Sequence, residues 1–385
     1  MKHRWRPIDL LRGAAMALMV IDHVRVFGGV PAGGPSAGIF FTRWVTHFCA
    51  PIFIFLAGTS AYLSSRGQPA SALTQSLLKR GLWLVFVELT FLRLAWTFNF
   101  DYQHFTMLGV IWVIGACMVL LSLLSRLPAP LLLAFGLLVV GGHNAVGPVL
   151  GAQLPASMEG PWASLLRVVY FGGGFPAFDG LITIQVLYSI VPWIGVMALG
   201  FVFGRVVECP EEKRTRVTIA IGVGATLLFL ILRWTDVYGN PGPWRGAPRP
   251  ALLAFINVAK YPASLLFLLM TLGPSVAVLP LLDRVSGRVG KWLETFGRVP
   301  MFFYLIHIPL IHSFAFVIAV VRTPNAVGWL FGNHPMNPPP VPANYQWSLG
   351  LLYGVTLLAL AVLLPLCRAY GHAKETRRRW WYRYI

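Results

Sequence analysis

Stretches of about 20 mostly apolar residues recur from one end of this chain to the other, and that recurrence limits its fold more than any single motif. A helix crossing the roughly 30 Å hydrocarbon core of a bilayer needs about 20 such residues, at about 1.5 Å rise each. By that measure about ten spans are expected, near 8–27, 44–64, 81–98, 106–125, 130–147, 182–204, 217–234, 252–282, 299–321 and 347–367. The eighth contains Lys260 and Pro262 and is long enough to break into two pieces. Charged residues are 11% of the chain, against roughly 25% in soluble domains, so this much apolar surface cannot be given a water-facing coat. The same apolar excess excludes disorder. The expected class is an all-α, polytopic membrane bundle in which 1–385 forms a single domain.

The net charge of +18 would suggest nucleic acid in a soluble protein. Here the basic residues fall in short segments between spans, where the positive-inside rule explains them. With the N-terminus cytoplasmic, all but nine of the 31 Lys and Arg lie inside, the nine being Arg25, Arg43, Arg93, Arg167, Arg233, Arg245, Arg249, Lys260 and Arg322. Both termini are therefore expected in the cytoplasm, with 1–7 as a short N-terminal segment and 368–385 as a basic tail. The first apolar stretch carries Asp22 and His23 and no clear cleavage site, so it reads as a retained span rather than a secretory leader. The loops at 28–43, 148–181, 235–251 and 322–346 are rich in Gly, Pro and Trp. Such stretches do not form regular helix, and their length suggests a shaped outer vestibule. Trp and Tyr at 380–384 read as an interfacial anchor. Cys49, Cys117, Cys209 and Cys367 show no paired spacing and read as reduced.

Ionisable side chains are costly inside a bilayer and mark pathways or reaction sites. The first span carries Asp9, Arg12, Asp22 and His23. At about 100° per residue Arg12 and His23 fall within about 20° of one helix face, about 16 Å apart along the axis. Asp22 lies about 100° round the helix from His23. It either orients the imidazole or bridges to Arg25 or to another span. Asn257 and Lys260 share a face at i, i+3, with Pro262 loosening the helix beside them. Tyr304, His307 and His312 form a third group, and His47 stands near Pro51. Glu88 with Arg93, and Gln185 with Tyr188, read as interhelical hydrogen-bond partners. No HExxH or two-His-carboxylate spacing suggests a metal site. The absence of a P-loop, a GxGxxG and a GxSxG argues against an ATP-driven pump, a nicotinamide enzyme and a serine hydrolase. A transporter or flippase is the rival class, since buried polar groups can line a substrate path.

The segments RPIDLLRGAAMALMVIDHVRVF, FCAPIFIFLAGTSAYL, MLGVIWVIGA, SIVPWIGVMALGFVFGR, FINVAKYPASLLFLLMTLGP and GRVPMFFYLIHIPLIH resemble, in a consistent order along the chain, the heparan-alpha-glucosaminide N-acetyltransferase family of bacterial and lysosomal membrane proteins. The related acyltransferase-three family separates a basic residue and a histidine on its first span by ten residues, as Arg12 and His23 are here. The lysosomal branch carries its reactive histidine beyond that span. This chain reads GGVPAGGPSAG there, without a histidine, so His23 is indicated by the wider superfamily. The resemblance implies a ten-helix core in a bacterial cytoplasmic membrane, with acetyl-CoA (acyl-CoA) as co-substrate, a carbohydrate or glycan acceptor on the far side, and no metal. It makes His23 general base or acyl carrier, with Asp22 assisting. Arg12, Lys79 and Arg80 become candidates for the donor's phosphates, and Asn257 and Lys260 for its thioester oxygen. His47, Trp193, Tyr304 and His307 are left as candidate substrate contacts. Membrane lipids are expected partners, and a homodimer is compatible with the apolar surface.

Overall fold

The computed structural model describes residues 5–152, 160–336, 338–377 and 380–383. Lys2, Arg4, Arg378, Arg379 and Tyr384, which entered the charge count and the aromatic anchor, lie outside the described residues, as do 153–159 and 337 within two of the long loops. In chain order the helices are α1 (Arg6–Phe27), α2 (Ala37–Trp44), α3 (Cys49–Ser65), α4 (Ala70–Val87), α5 (Arg93–Thr97), α6 (Val110–Leu124), α7 (Ala129–Ala152) and α8 (Pro161–Leu166). They continue with α9 (Trp193–Val207), α10 (Glu211–Thr235), α11 (Ala251–Ile256), α12 (Leu265–Leu282), α13 (Gly287–Arg298), α14 (Pro300–Arg322), α15 (Val327–Leu330) and α16 (Leu349–Thr376). A 3-10 turn at Val45–Phe48 joins α2 to α3, and a π turn at Glu88–Leu92 joins α4 to α5.

Among the described residues, six helical segments are long and apolar enough to cross a membrane: Ala37–Ser65, Ala129–Ala152, Glu211–Thr235, Leu265–Leu282, Pro300–Arg322 and Leu349–Thr376. The chain is thus a mostly helical membrane bundle. Three sequence expectations need correction. The span expected at 182–204 begins as a strand, β3 (Ile182–Val186), and becomes helical only at Trp193. Its Ile-Thr-Ile-Gln-Val alternation has the period of a strand, two, rather than that of a helix. It joins β1 (Thr106–Leu108) in parallel and β2 (Gly173–Ala177) antiparallel, in the order β1-β3-β2, so the bundle carries a small sheet and is not purely α. Gln185 and Tyr188 accordingly do not sit on a helix. The loop at 28–43 is partly regular, because Ser36 caps α2 by accepting from the Ile39 amide at 3.3 Å.

The residues divide into two compact units. The first comprises Met1–Cys49, Thr90–Phe100 and Leu281–Ile385. In it α1 packs against α13, α14 and α16. Pro7 opens α1, Asp9 stands in its first turn and Arg25 in its last, which matches the helix dipole at both ends. The α1–α13 crossing is a backbone contact. A Cβ on Gly13 would lie 1.9 Å from the Leu293 carbonyl oxygen, and one on Gly297 would lie 1.9 Å from that of Asp9. Glycine at both positions lets the two backbones touch where any side chain would clash. The segment that joins α15 to α16 then clamps the end of α1. Asn333 Nδ2 donates to Val26 O at 2.9 Å, Tyr345 Oη to Phe27 O at 2.7 Å, and the Trp347 amide to Gly28 O at 2.9 Å. These are the carbonyls a helix C-terminus leaves unsatisfied.

The second unit comprises Ala50–Leu89 and Asp101–Pro280. Its helices also meet at glycines: Gly58 and Gly200 bring α3 and α9 into backbone contact, and Gly81 and Gly115 do the same for α4 and α6. Glu88, fully buried, accepts from the Trp112 amide at 3.0 Å and so caps α6. The expected break in the eighth span falls at 257–264, between α11 and α12. Arg233, 1% exposed, stabilises it by donating to the carbonyls of Ala254, Phe255 and Asn257 at 2.9, 2.8 and 3.2 Å.

Gly13→Val is expected to lower the thermal stability of the detergent-solubilised protein by about 1–3 kcal/mol, the usual cost of overpacking. An unaltered melting transition would show that α1 and α13 can separate freely.

Candidate active site

The first unit gathers the polar side chains of α1 and α14. Pro300 starts α14 and the helix continues to Arg322 through Pro309. Two residues before that proline, His307 is completely buried. Its Nδ1 lies 2.7 Å from Tyr304 O and 3.1 Å from Phe303 O. Its Nε2 lies 2.7 Å from Nδ1 of His23 on α1. The two rings stack with centroids 4.8 Å apart.

This arrangement orders the protons. A carbonyl oxygen only accepts, so Nδ1 of His307 carries its hydrogen. A neutral imidazole then has its lone pair on Nε2, which accepts from Nδ1–H of His23. The lone pair of neutral His23 is thereby left on Nε2, the atom from which a histidine base or nucleophile works. His23 is half-buried whereas its partner is sealed, so the lone pair at the end of this chain of protons falls on the less buried of the two rings.

An aromatic column extends from the pair. Tyr304 stands 5.0 Å from His307 and Trp96 meets His23 edge to face at 4.9 Å. Phe27 stacks on Trp96 at 5.4 Å and meets His312 at a tilt at 4.7 Å, and Phe98 closes the column by stacking on His312 at 3.8 Å. His312 lies 3.2 Å from Ala95 O through Nδ1, and its buried Nε2 has no hydrogen-bond partner. At the same end Arg93, buried, donates to Thr97 Oγ1 at 2.6 Å and to Asn99 O. His334, in the loop beyond the helices, is pushed down to about 4 by burial and by the charge of Arg93, and so stays neutral near pH 7.

The remaining sequence candidates fall as follows. Asp22 forms ion pairs with Arg25 at 2.9 Å and Arg43 at 3.5 Å, which is the bridging alternative. Arg25 also donates to Val30 O at 2.8 Å, and Arg43 lies 3.4 Å from Thr46 Oγ1. Because α1 is unbroken from Arg6 to Phe27, Arg12 and His23 do share a face. Arg12 lies near the opposite end, 3.4 Å from Asp9 and 3.2 Å from Gly297 O. His47 is buried in the 3-10 turn. The other candidates belong to the second unit. Lys79 and Arg80 are exposed on α4, and Asn257 is exposed at the end of α11. Lys260 is buried with Nζ 5.2 Å from the Tyr261 ring, and Trp193 is buried against Tyr188 and Phe267.

Residues 4–235 match the family described as heparan-alpha-glucosaminide N-acetyltransferase, catalytic. The chain belongs to this family. No curated protein matches it. Membership brings acetyl transfer as the class of reaction and, with six apolar helices, makes the chain an integral membrane protein. The match includes α1, Trp96 and α10 but stops before α14, so family likeness covers His23 while geometry alone singles out His307.

Trp96, Phe27, Asn333 and Tyr345 were not anticipated as part of this site. Trp96 was the readable one, as an indole in a span close to a buried arginine. The rest act through contacts distant in the chain. For the wild-type protein, nitrogen-15 spectra of labelled histidine are expected to show His23 as the Nδ1–H tautomer. His307→Phe removes the acceptor at similar volume and should shift the ring toward a mixture. A wild-type ring protonated on Nε2 would overturn the proton order.

Proposed function

We propose that this protein transfers an acetyl group from acetyl-CoA at the cytoplasmic side to a carbohydrate acceptor on the other side of a bacterial cytoplasmic membrane, with His23 as the reacting imidazole. The observation that carries the reading is the His23–His307 hydrogen bond, which supports a basic Nε2 on the accessible ring. We further propose about ten crossings with both termini cytoplasmic, on the strength of the positive-inside asymmetry.

In the reaction an acceptor hydroxyl or amine gives its proton to His23 Nε2 as its heteroatom attacks the thioester carbonyl. A carbon–oxygen or carbon–nitrogen bond forms and the carbon–sulfur bond breaks. The imidazolium then returns the proton to the departing thiolate. An acyl-imidazole formed first on the same Nε2 is the other route, and both need the lone pair there. His307 acts as a positioning residue. Asp22 acts at one remove, holding Arg25 and Arg43 beside the acceptor side of His23. Arg12 contributes positive charge at the donor end. Lys79 and Arg80 are proposed for the donor's phosphates, Asn257 or Lys260 for the thioester oxyanion, and His47, Trp193 and Tyr304 for substrate contact, all from residue type and position in the sequence.

The test is purified protein incubated with labelled acetyl-CoA and a panel of sugars. His23→Ala should abolish transfer while keeping expression and acetyl-CoA binding; normal turnover by this variant would end the proposal. His307→Phe should lower kcat by about 10²-fold or more, the usual scale of a well-placed base, with little change in KM. Arg12→Glu should act mainly on acetyl-CoA affinity, and an unchanged affinity would remove it from the donor site. Label that crosses the membrane without becoming attached to any sugar would favour a transporter.

A further inference from the structure

The first unit contains a second polar feature, remote in sequence from the imidazoles. Where the end of α13 meets the end of α16, a cavity of about 340 Å³ is lined by Arg298, Arg368, His372 and Lys374, with Glu375 as the acidic residue among the described lining. Val299, the residue that caps α14, also lines it. The cavity therefore borders the positive end of a 23-residue helix, where unsatisfied amides favour an anion. The floor includes Cys367, which is fully buried, and the basic groups stand around the rim.

A simpler account would make the cations complements of the helix dipoles. That explains Arg298 and Lys374, which occupy the last turns of α13 and α16. Arg298 is also already paired with Glu294 at 2.6 Å. It does not explain Arg368 and His372, which lie further back along α16 and face the same space. A cluster of cations around a concave site of this size fits a phosphate-bearing ligand.

The connection to the imidazoles comes through α14. His307 stands seven residues beyond Pro300, a rise of about 10 Å, and Arg12 donates to Gly297 O next to cavity residue Arg298. A ligand with charge at one end and a thin reactive arm would place its arm along this course, whereas an anionic lipid would use only the cavity. We infer that this cavity, in place of the Lys79–Arg80 pair, seats the phosphate-bearing nucleotide end of the thioester donor, with Arg368 and Lys374 as its main contacts. The inference rests on the acyl-donor reading given above.

The experiment uses the full chain in nanodiscs of zwitterionic lipid and measures binding of adenosine 3′,5′-bisphosphate and of acetyl-CoA by calorimetry. Wild type is expected to bind both. Arg368→Glu combined with Lys374→Glu should weaken both by about tenfold or more, as loss of charge-assisted hydrogen bonds predicts, and raise KM for acetyl-CoA with kcat retained. Glu375→Gln should tighten both several-fold, a gain that misfolding cannot imitate. Unchanged nucleotide affinity in both variants overturns the assignment. So does a double variant that loses short-chain phosphatidylglycerol and keeps the nucleotide, since the cavity is then a lipid site. Wild-type protein that neither binds nor consumes acetyl-CoA would sink the acyl-donor reading itself. Normal turnover with cavity variants indistinguishable from wild type would sink only the cavity.

Discussion

The carbonyl oxygens of Phe303 and Tyr304 have no hydrogen to give, and the chemistry of the site follows from that fact. They fix one proton on His307, which fixes the next on His23, which leaves the accessible nitrogen basic. An isolated imidazole exchanges tautomers freely. Here the choice is made by backbone atoms of a helix, the least adjustable acceptors available. The contact is only as good as the alignment of α1 with α14, so the framework has a specific task, which is to keep two rings on different helices within 2.7 Å.

Two features perform it at opposite ends of α1. Near Arg12, Gly13 and Gly297 allow the backbones of α1 and α13 to touch, and a single methyl group would force them apart. Near His23, Asn333, Tyr345 and Trp347 occupy the terminal carbonyls of the helix. Both ends also bury apolar side chains, among them Leu10 and Phe27, but such contact sets no fixed geometry by itself. Shape holds one and hydrogen bonds hold the other. The loop that looks like a vestibule wall in sequence is thus also a clamp.

Much of the fold was legible because apolar length is a strong signal. The helices at α7, α10, α12, α14 and α16 lie close to where hydropathy puts them. The strand at 182–186 was not, because its apolar and polar residues alternate inside a stretch apolar enough to pass for half a span. The break before α12 could be read from Pro262, but its stabilisation by Arg233 could not, since the carbonyls that side chain meets lie 21 and 22 residues further along the chain. In the site, helical periodicity alone aligned Arg12 with His23, and the i, i+3 spacing offered Arg25 to Asp22. The His23–His307 bond spans 284 residues of sequence, and no local pattern encodes it. His307 was visible only as one buried histidine among several.

A pair of neutral rings suits this setting better than an imidazole oriented by a carboxylate. A charge buried at membrane depth costs several kcal/mol even after relaxation, and a carboxylate on the hidden nitrogen would impose that cost in the resting state. Two neutral imidazoles hydrogen-bonded in this way would carry no net charge. In the proposed mechanism positive charge would arise on His23 only while the acceptor's proton is in transit, and would leave with the thiolate. The one carboxylate close in sequence, Asp22, is turned about 100° away and neutralised by two arginines. Its separation from the imidazole fits the same economy: Asp22 turns to Arg25 and Arg43, and the His23 ring lies against Trp96 and a second imidazole.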